Sequence, residues 1–301
     1  MPSNTPEART PLVLDVDGTL LKNDLTHELI LKGVIKRFWK LPTLIKLTLT
    51  SKPALKLWLV EQVGTDIHPE TLPYHQEIVE LAKTAKAQGR EVSLCSGSQE
   101  QLVQKLVDHL DWVDAGFGTT STYNMTCENK AYFLQERYPQ GFDYAGNSSQ
   151  DFAVWKAARK GYGIEPPTAA ATTRSQNGEY VKILKPRSSR ARATALFEAM
   201  EPQYSVIFLT PFIIHALMNN QNLLYTLLMG IMFSFMFSTF YLLRNIAYIS
   251  KDRRKPHSHQ HTALSRGDLG IPTALISASI CLVSGLACVG KALNSHTFLI
   301  S

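Results

Sequence analysis

Up to about residue 200 the apolar positions come in short runs, each closed by a turn signal. Pro11–Val16 is such a run, ended by Asp17-Gly18, and Glu91–Cys95 is another, ended by Ser96-Gly97-Ser98. Short apolar runs bounded by turn residues predict buried strands. From Gln99 to Leu110 the spacing changes to that of a helix, while Trp112–Phe117 and Phe142–Ala145 read as further strands. Strands alternating with helices predict an α/β fold with a doubly wound parallel sheet, whose ligands meet the carboxyl ends of the strands. Between Leu21 and about Gln88 the pattern is helical, as in HELILKGVIKRF and PALKLWLVEQV. That stretch is too long for a simple connection and predicts a helical cap over about 21–88.

Beyond residue 200 the pattern changes to long uncharged runs. Leu223–Leu243 and Leu269–Gly290 hold no charged side chain. At 1.5 Å rise per residue each is about the length that crosses a ~30 Å hydrocarbon core. A shorter run, Gln203–Met218, includes Pro211 and His215 and predicts a third span or a re-entrant piece. The division falls near residue 190, with a soluble domain over 1–190 and a membrane region over 191–301. The basic stretch Lys251-Asp252-Arg253-Arg254-Lys255, with Arg266 beyond it, separates the two long runs, whereas the connection at Asn219–Asn222 is uncharged. The bias of basic loops to the inner side predicts a multi-pass protein of the cytoplasmic (inner) membrane. With no apolar signal core in MPSNTPEART, the N-terminal domain is expected in the cytosol.

The net charge of +6 suits anionic phosphates or anionic lipid and does not choose between them. Nucleic acid is not an expected partner, because zinc-finger spacing, an RNP-like aromatic run and a glycine-rich RNA clamp are all missing. Cys95, Cys127, Cys281 and Cys288 form no CxxC pair, which points to a reducing compartment.

The candidate chemistry lies at the strand ends. In Asp15-Val16-Asp17-Gly18-Thr19, two carboxylates at i and i+2 leave the same side of an extended chain, and Gly18 allows the backbone to turn away. Phosphoryl transfer needs a nucleophile, a group to handle the leaving-group proton, and a cation to offset phosphate charge. Further along come Ser96 after the second strand, Lys130 in CENKAYFLQERY, and the segment Asp143–Asp151, DYAGNSSQD. In this order the motifs resemble those of the haloacid dehalogenase superfamily, the first of which is DxDGT. The likeness covers about residues 11–165. It implies that Asp15 attacks phosphorus to form an aspartyl phosphate and that Asp17 protonates the leaving oxygen and then activates water. Ser96 would donate a hydrogen bond to the transferring phosphoryl group, and Lys130 would hold nucleophile and phosphate charges together. The implied cofactor is Mg²⁺, with Asp15, Asp17, Asn147 and Asp151 as ligands. Asn147 stands where the family's GDxxxD pattern has its first acid; its amide oxygen still ligates Mg²⁺ but brings no charge. The insertion resembles the family's helical caps, which close over small phosphorylated molecules. Its mixture of apolar and basic residues, as in Lys36-Arg37-Phe38-Trp39-Lys40, also suits a membrane surface.

The order of a phosphatase-like domain followed by membrane helices resembles proteins that join this domain to a UbiA-type prenyltransferase. The likeness runs through YLLRNIAYISKDRRKPHSHQHTALSRGDLG. Matched to that family's NDxxDxxxD-like motif, the ND pair falls on Arg244-Asn245, the middle acid on Tyr248 and the last acid on Asp252, followed by Arg253-Arg254. With most carboxylates gone, this half reads as a truncated transferase serving as an anchor or partner-binding segment. His257, His259 and His261 read as part of a juxtamembrane basic loop. The expectation is a membrane-anchored, Mg²⁺-dependent phosphatase acting on a small phosphorylated substrate, with a prenyl- or sugar-linked phosphate suggested by the fusion. Membrane lipid and a multi-span membrane chain are the expected further partners. The alternatives are a UbiA-type transferase component and a non-catalytic membrane scaffold.

Overall fold

The computed structural model describes residues 10–219, 223–255 and 262–300. The chain divides into two compact units between Ser188 and Ser189. The three histidines of KPHSHQH lie outside the described residues.

The first unit is built on six parallel strands, β1 (Leu12–Leu14), β2 (Val92–Gln99), β3 (Ala115–Thr119), β4 (Asp143–Gly146), β5 (Lys160–Ile164) and β6 (Lys182–Lys185). They are ordered β3-β2-β1-β4-β5-β6. The fold is therefore α/β with a doubly wound parallel sheet. Leu12–Leu14 is paired on both sides, with Leu14 beside Leu94 of β2 and Ala145 of β4. All three β1 side chains are fully buried, as a strand covered on both faces requires. The order reverses at β1, so a crevice forms beyond the carboxyl ends of β1 and β4. β5 and β6 were not anticipated.

Helices follow the strands. After β1 come α1 (Leu25–Lys36), α2 (Leu41–Thr50) and α3 (Lys52–Val63), then α4 (Gln76–Ala87). α1 starts where Asp24 accepts the amide of Thr26 at 2.6 Å, and α3 where Ser51 accepts that of Ala54. The insertion is pinched at its base. Leu21 pairs antiparallel with Tyr74, Lys22 N donates to Pro73 O, and His75 N donates to Leu20 O, both at 2.9 Å. The helical insertion thus closes at Tyr74 rather than near residue 88. α4 lies beyond the pinch, and its stripe Ile78, Ala82 and Ala85 is buried in the core that holds Val92 and Leu94 of β2. α5 (Glu100–His109), α6 (Cys127–Arg137) and α7 (Phe152–Ala157) complete this unit.

His75 sits at the pinch, buried, with Nδ1 lacking a hydrogen-bond partner. Burial, reinforced by the Lys185 charge, pushes its imidazole down to about 4. A histidine held neutral in this way binds fewer protons folded than unfolded. Its contribution is fully present above the unfolded value of 6.5 and is lost as pH falls toward 4, a range worth about 3 kcal/mol. His75→Leu is expected to flatten the pH dependence of unfolding free energy between pH 6.5 and 4, measured by urea titration.

The second unit is helical, with α8 (Ser189–Met200), α9 (Pro202–Asn219), α10 (Leu223–Ala247), α11 (Ile249–Asp252) and α12 (Ile271–Ile300). Thr226–Ala247 and Ile271–Cys288 are long and apolar enough to cross a membrane, and only 28% of each window is buried. A soluble core helix would bury most of its apolar surface. The shorter run predicted at 203–218 forms one helix, α9, with Pro211 inside it. α10 and α12 approach closely at small residues. A Cβ on Gly285 would already touch Phe235, and Thr239 donates to the Ala278 carbonyl at 3.3 Å.

Candidate active site

Asp15 follows β1 directly, its amide donating to Ala145 O at 2.9 Å. The side chain is buried. Lys130 Nζ donates to Asp15 Oδ1 at 2.8 Å, although the two are 115 residues apart in the chain. Lys130 stands in the first turn of α6, and its long side chain returns toward the helix N-terminus and hence toward the crevice. Thr19 Oγ1 donates to Asp15 Oδ2 at 3.2 Å.

Between these residues the chain turns at Gly18, whose φ is +77°, a conformation that strains any residue with a Cβ. A Cβ there would also collide with the Asn147 amide, so the β4 loop lies directly against the Asp15–Asp17 turn. Gly18→Ala is expected to destabilise the protein by about 1–3 kcal/mol and to separate the two loops, read as a lower urea midpoint with reduced turnover.

Asp17 is half-buried and held on both oxygens. Leu25 N donates to Oδ1 at 2.8 Å, while Ser96 Oγ at 3.0 Å and Ser98 Oγ at 2.6 Å donate to Oδ2. Ser96 Oγ also accepts the Ser98 amide at 3.0 Å. Ser96 therefore serves Asp17 in this structure. Ser98 was not foreseen; a second hydroxyl two residues on in the same strand, on the same side, was the available signal. Lys56 of α3 was also not foreseen, and it reaches from the insertion to donate to Gly97 O at 2.9 Å.

Asp151 has a different setting. Its Oδ2 accepts from Asn147 N at 3.0 Å, Ser148 N at 2.9 Å and Ser148 Oγ at 3.0 Å. Its Oδ1 accepts from Tyr144 OH at 2.6 Å and lies 3.8 Å from Lys130 Nζ. Tyr144 OH in turn accepts from Lys130 at 3.0 Å. Tyr144, fully buried on β4, is a further unanticipated member of the cluster.

Electrostatics follow from this packing. Burial pushes Asp15 up to about 7, against the lowering pull of Lys130 and with the help of the Asp151 and Asp17 charges. Burial and the charge of Asp24 raise Asp17 as well. Burial pulls Lys130 down, but the Asp15 and Asp151 carboxylates outweigh it and hold the ammonium above its ordinary value. Two carboxylates, on Asp15 and Asp151, thus face one ammonium, and a third, Asp17, is close enough to raise Asp15. That excess of negative charge fits a bound divalent cation. Among the described residues no three acidic, histidine or cysteine side chains are grouped to form a metal shell. A cation here would need neutral oxygens, such as Asn147 Oδ1 and water, beside Asp15 and Asp17.

In the second unit Asp252 is buried with Lys255 Nζ at 2.7 Å, and its Oδ2 has no hydrogen-bond partner. Arg253 Nε donates to Ser265 O at 3.0 Å, and Asn245 Nδ2 to Ala199 O at 3.3 Å. These motif positions tie the helical unit together.

No protein-family model matches the chain. It is 25% identical over 283 residues to the protein y4nM of Sinorhizobium fredii, a match covering 93% of this chain and 54% of y4nM. The chain thus spans about half the length of the curated relative it matches. Similar solved structures include a HAD family hydrolase from Salmonella enterica serovar Typhi, at 12% identity, covering 59% of this chain and 66% of that one, with TM-score 0.42. A probable phosphoserine phosphatase from Vibrio cholerae matches at 16% identity, 56% and 61% coverage and TM-score 0.38. A phospho-aspartyl intermediate analogue of phosphoserine phosphatase matches at 16% identity, 60% and 94% coverage and TM-score 0.42. Likenesses at this level carry no argument about the chemistry here, which rests on the chain's own side chains.

Proposed function

We propose that the first unit is a phosphomonoesterase in which Asp15 is the nucleophile and Asp17 the proton-transfer group, working on a small phosphorylated substrate. The observation that carries this reading is the Lys130–Asp15 contact beside a serine-held Asp17 at the carboxyl end of β1. In the first step an Asp15 oxygen attacks phosphorus and the bond to the leaving oxygen breaks, while Asp17, whose proton affinity burial raises, gives that oxygen a proton. In the second step Asp17 takes a proton from water, which attacks phosphorus and releases phosphate from Asp15. Lys130 offsets the charge on Asp15 and on the transferring group.

Asp15, Asp17 and Asn147 would hold Mg²⁺, which when bound supplies charge neutralisation for the phosphoryl oxygens. Asp151, whose oxygens already accept four hydrogen bonds, is better suited to fixing the Asn147 loop and Lys130 than to ligation. Two helices long and apolar enough to cross a bilayer support anchoring of the chain to a membrane, and the basic stretch between them in the sequence motivates the cytoplasmic membrane with the first unit in the cytosol. The likeness of the second unit to UbiA-type transferases motivates a prenyl- or sugar-linked phosphate as substrate and a multi-span membrane chain as partner.

The test is release of phosphate from a generic aryl phosphate by the detergent-purified full-length chain. Turnover that requires Mg²⁺ and stops on chelation is expected. Its absence across divalent ions and pH 5–9 (about the range over which carboxyl groups raised in this way titrate) would overturn the reading.

A further inference from the structure

Among the features that the proposed chemistry leaves unused, the outer face of the helical insertion carries the most. From Leu29 to Val60 the chain holds seven Lys and Arg residues and no Asp or Glu. Large apolar side chains stand in solvent among them: Phe38 is 64% exposed, Trp39 57%, Ile45 56% and Leu49 81%. Ile45 and Leu49 are four apart on α2 and share a face, opposite the buried Leu44 and the packed Leu47. Phe38 and Trp39 occupy the tight turn between α1 and α2, edge to face at 5.3 Å, with the Arg37 guanidinium 5.7 Å from the Trp39 ring. Lys36, Arg37 and Lys46 are exposed beside them. Lys36 is paired with Asp66 at 2.5 Å and Lys40 donates to Gln62, so those two heads are partly held by the protein.

We infer that this face docks on the surface of an anionic phospholipid bilayer. The physical case is complementarity of two kinds. Aromatic and aliphatic groups that stand in solvent gain by entering the boundary between headgroups and acyl chains. Cations interleaved with them meet anionic headgroups, and a Trp ring suits that boundary because it is apolar with one polar edge. A protein partner with acidic side chains would meet the same cations, and dependence on lipid in the experiment below separates it from a bilayer. The inference stands on the insertion's own residues; the anchoring proposed above only raises the local concentration of bilayer.

Trp39 supplies the probe, since Trp112 and Trp155 are buried and Trp58 is half-buried. The full-length chain is combined with phosphatidylcholine bilayers with and without phosphatidylglycerol, the acyl chains carrying bromine as a quencher. Expected is quenching and a blue shift that need phosphatidylglycerol, disappear in Trp39→Phe, and weaken with salt. In the double variant Arg37→Gln, Lys46→Gln the docked-to-free ratio should fall about fivefold per cation removed. Trp39 emission that is unchanged by either bilayer and open to iodide would overturn the inference. So would shielding that depends on protein concentration and not on lipid, which marks a second copy of the chain. Alkaline extraction of membranes reports separately on whether α10 and α12 are inserted, so a failure of anchoring and a failure of docking give different results.

Discussion

Asp15→Asn is expected to lower turnover by about 10⁴-fold or more while leaving the protein folded. The amide keeps the shape of the carboxylate and loses its power to displace an alkoxide from phosphorus. Lys130 does not become isolated, because Tyr144 OH lies at 3.0 Å and Asp151 Oδ1 at 3.8 Å. The measurement is phosphate release together with acid-quench labelling by radioactive substrate. The native chain should retain acid-stable label on the protein and the variant should not. Asp17→Asn makes the contrast: with an aryl phosphate, whose leaving group departs without a proton from Asp17, it should still label and then stall, having lost the group that activates water. An Asp15→Asn protein that turns over normally leaves the nucleophile to be sought elsewhere.

Lys130→Met is expected to be the most damaging substitution for stability. Removing one partner of a buried ion pair leaves an uncompensated charge and costs about 3–5 kcal/mol. Here two carboxylates, on Asp15 and Asp151, are left facing each other. The cost has a definite pH dependence. Asp15 is already pushed up to about 7 with Lys130 present, and loss of the ammonium, which pulls it down, raises it further. A carboxyl raised in the folded state contributes fully below its unfolded value of 3.8, and the contribution is lost as pH rises through the folded value. The deficit of the variant should therefore be small at pH 5 and largest at pH 8 to 9, read by urea unfolding in chelator at each pH. A deficit independent of pH would mean that Lys130 acts through packing alone. Turnover should be lost at every pH.

Much of the site could be read along the chain because its chemistry is carried by local signals. An apolar strand, two carboxylates two positions apart and a turn glycine are adjacent at Leu14–Gly18, and the fold leaves them together. What was illegible depends on neighbours in space. Tyr144 alternates with Ala145 in a strand and reads as an ordinary β-former, yet its hydroxyl joins Lys130 to Asp151. Ser98 is one hydroxyl in a turn-like Ser-Gly-Ser until β2 runs on to Gln99 and aims it at Asp17. β5, Lys160–Ile164, contains two glycines, and β6, Lys182–Lys185, begins and ends in lysine. Neither shows the continuous apolar pattern of a central parallel strand, and their pairing with β4 and with each other makes them strands. Helical spacing alone carries the insertion on through α4, because it does not reveal which surface a helix covers.

The pinch at the base of the insertion makes residues 26–73 an exchangeable cassette. Its two ends leave the sheet side by side, tied by the Leu21–Tyr74 bridge and the backbone bonds of Lys22 and His75. Apart from the Leu25 amide that holds Asp17, the contacts among Asp15, Lys130 and Asp151 lie outside that stretch, so a lineage that keeps the first turn of α1 can retune which molecules it admits, or which surface it sits on, without rebuilding the reaction centre.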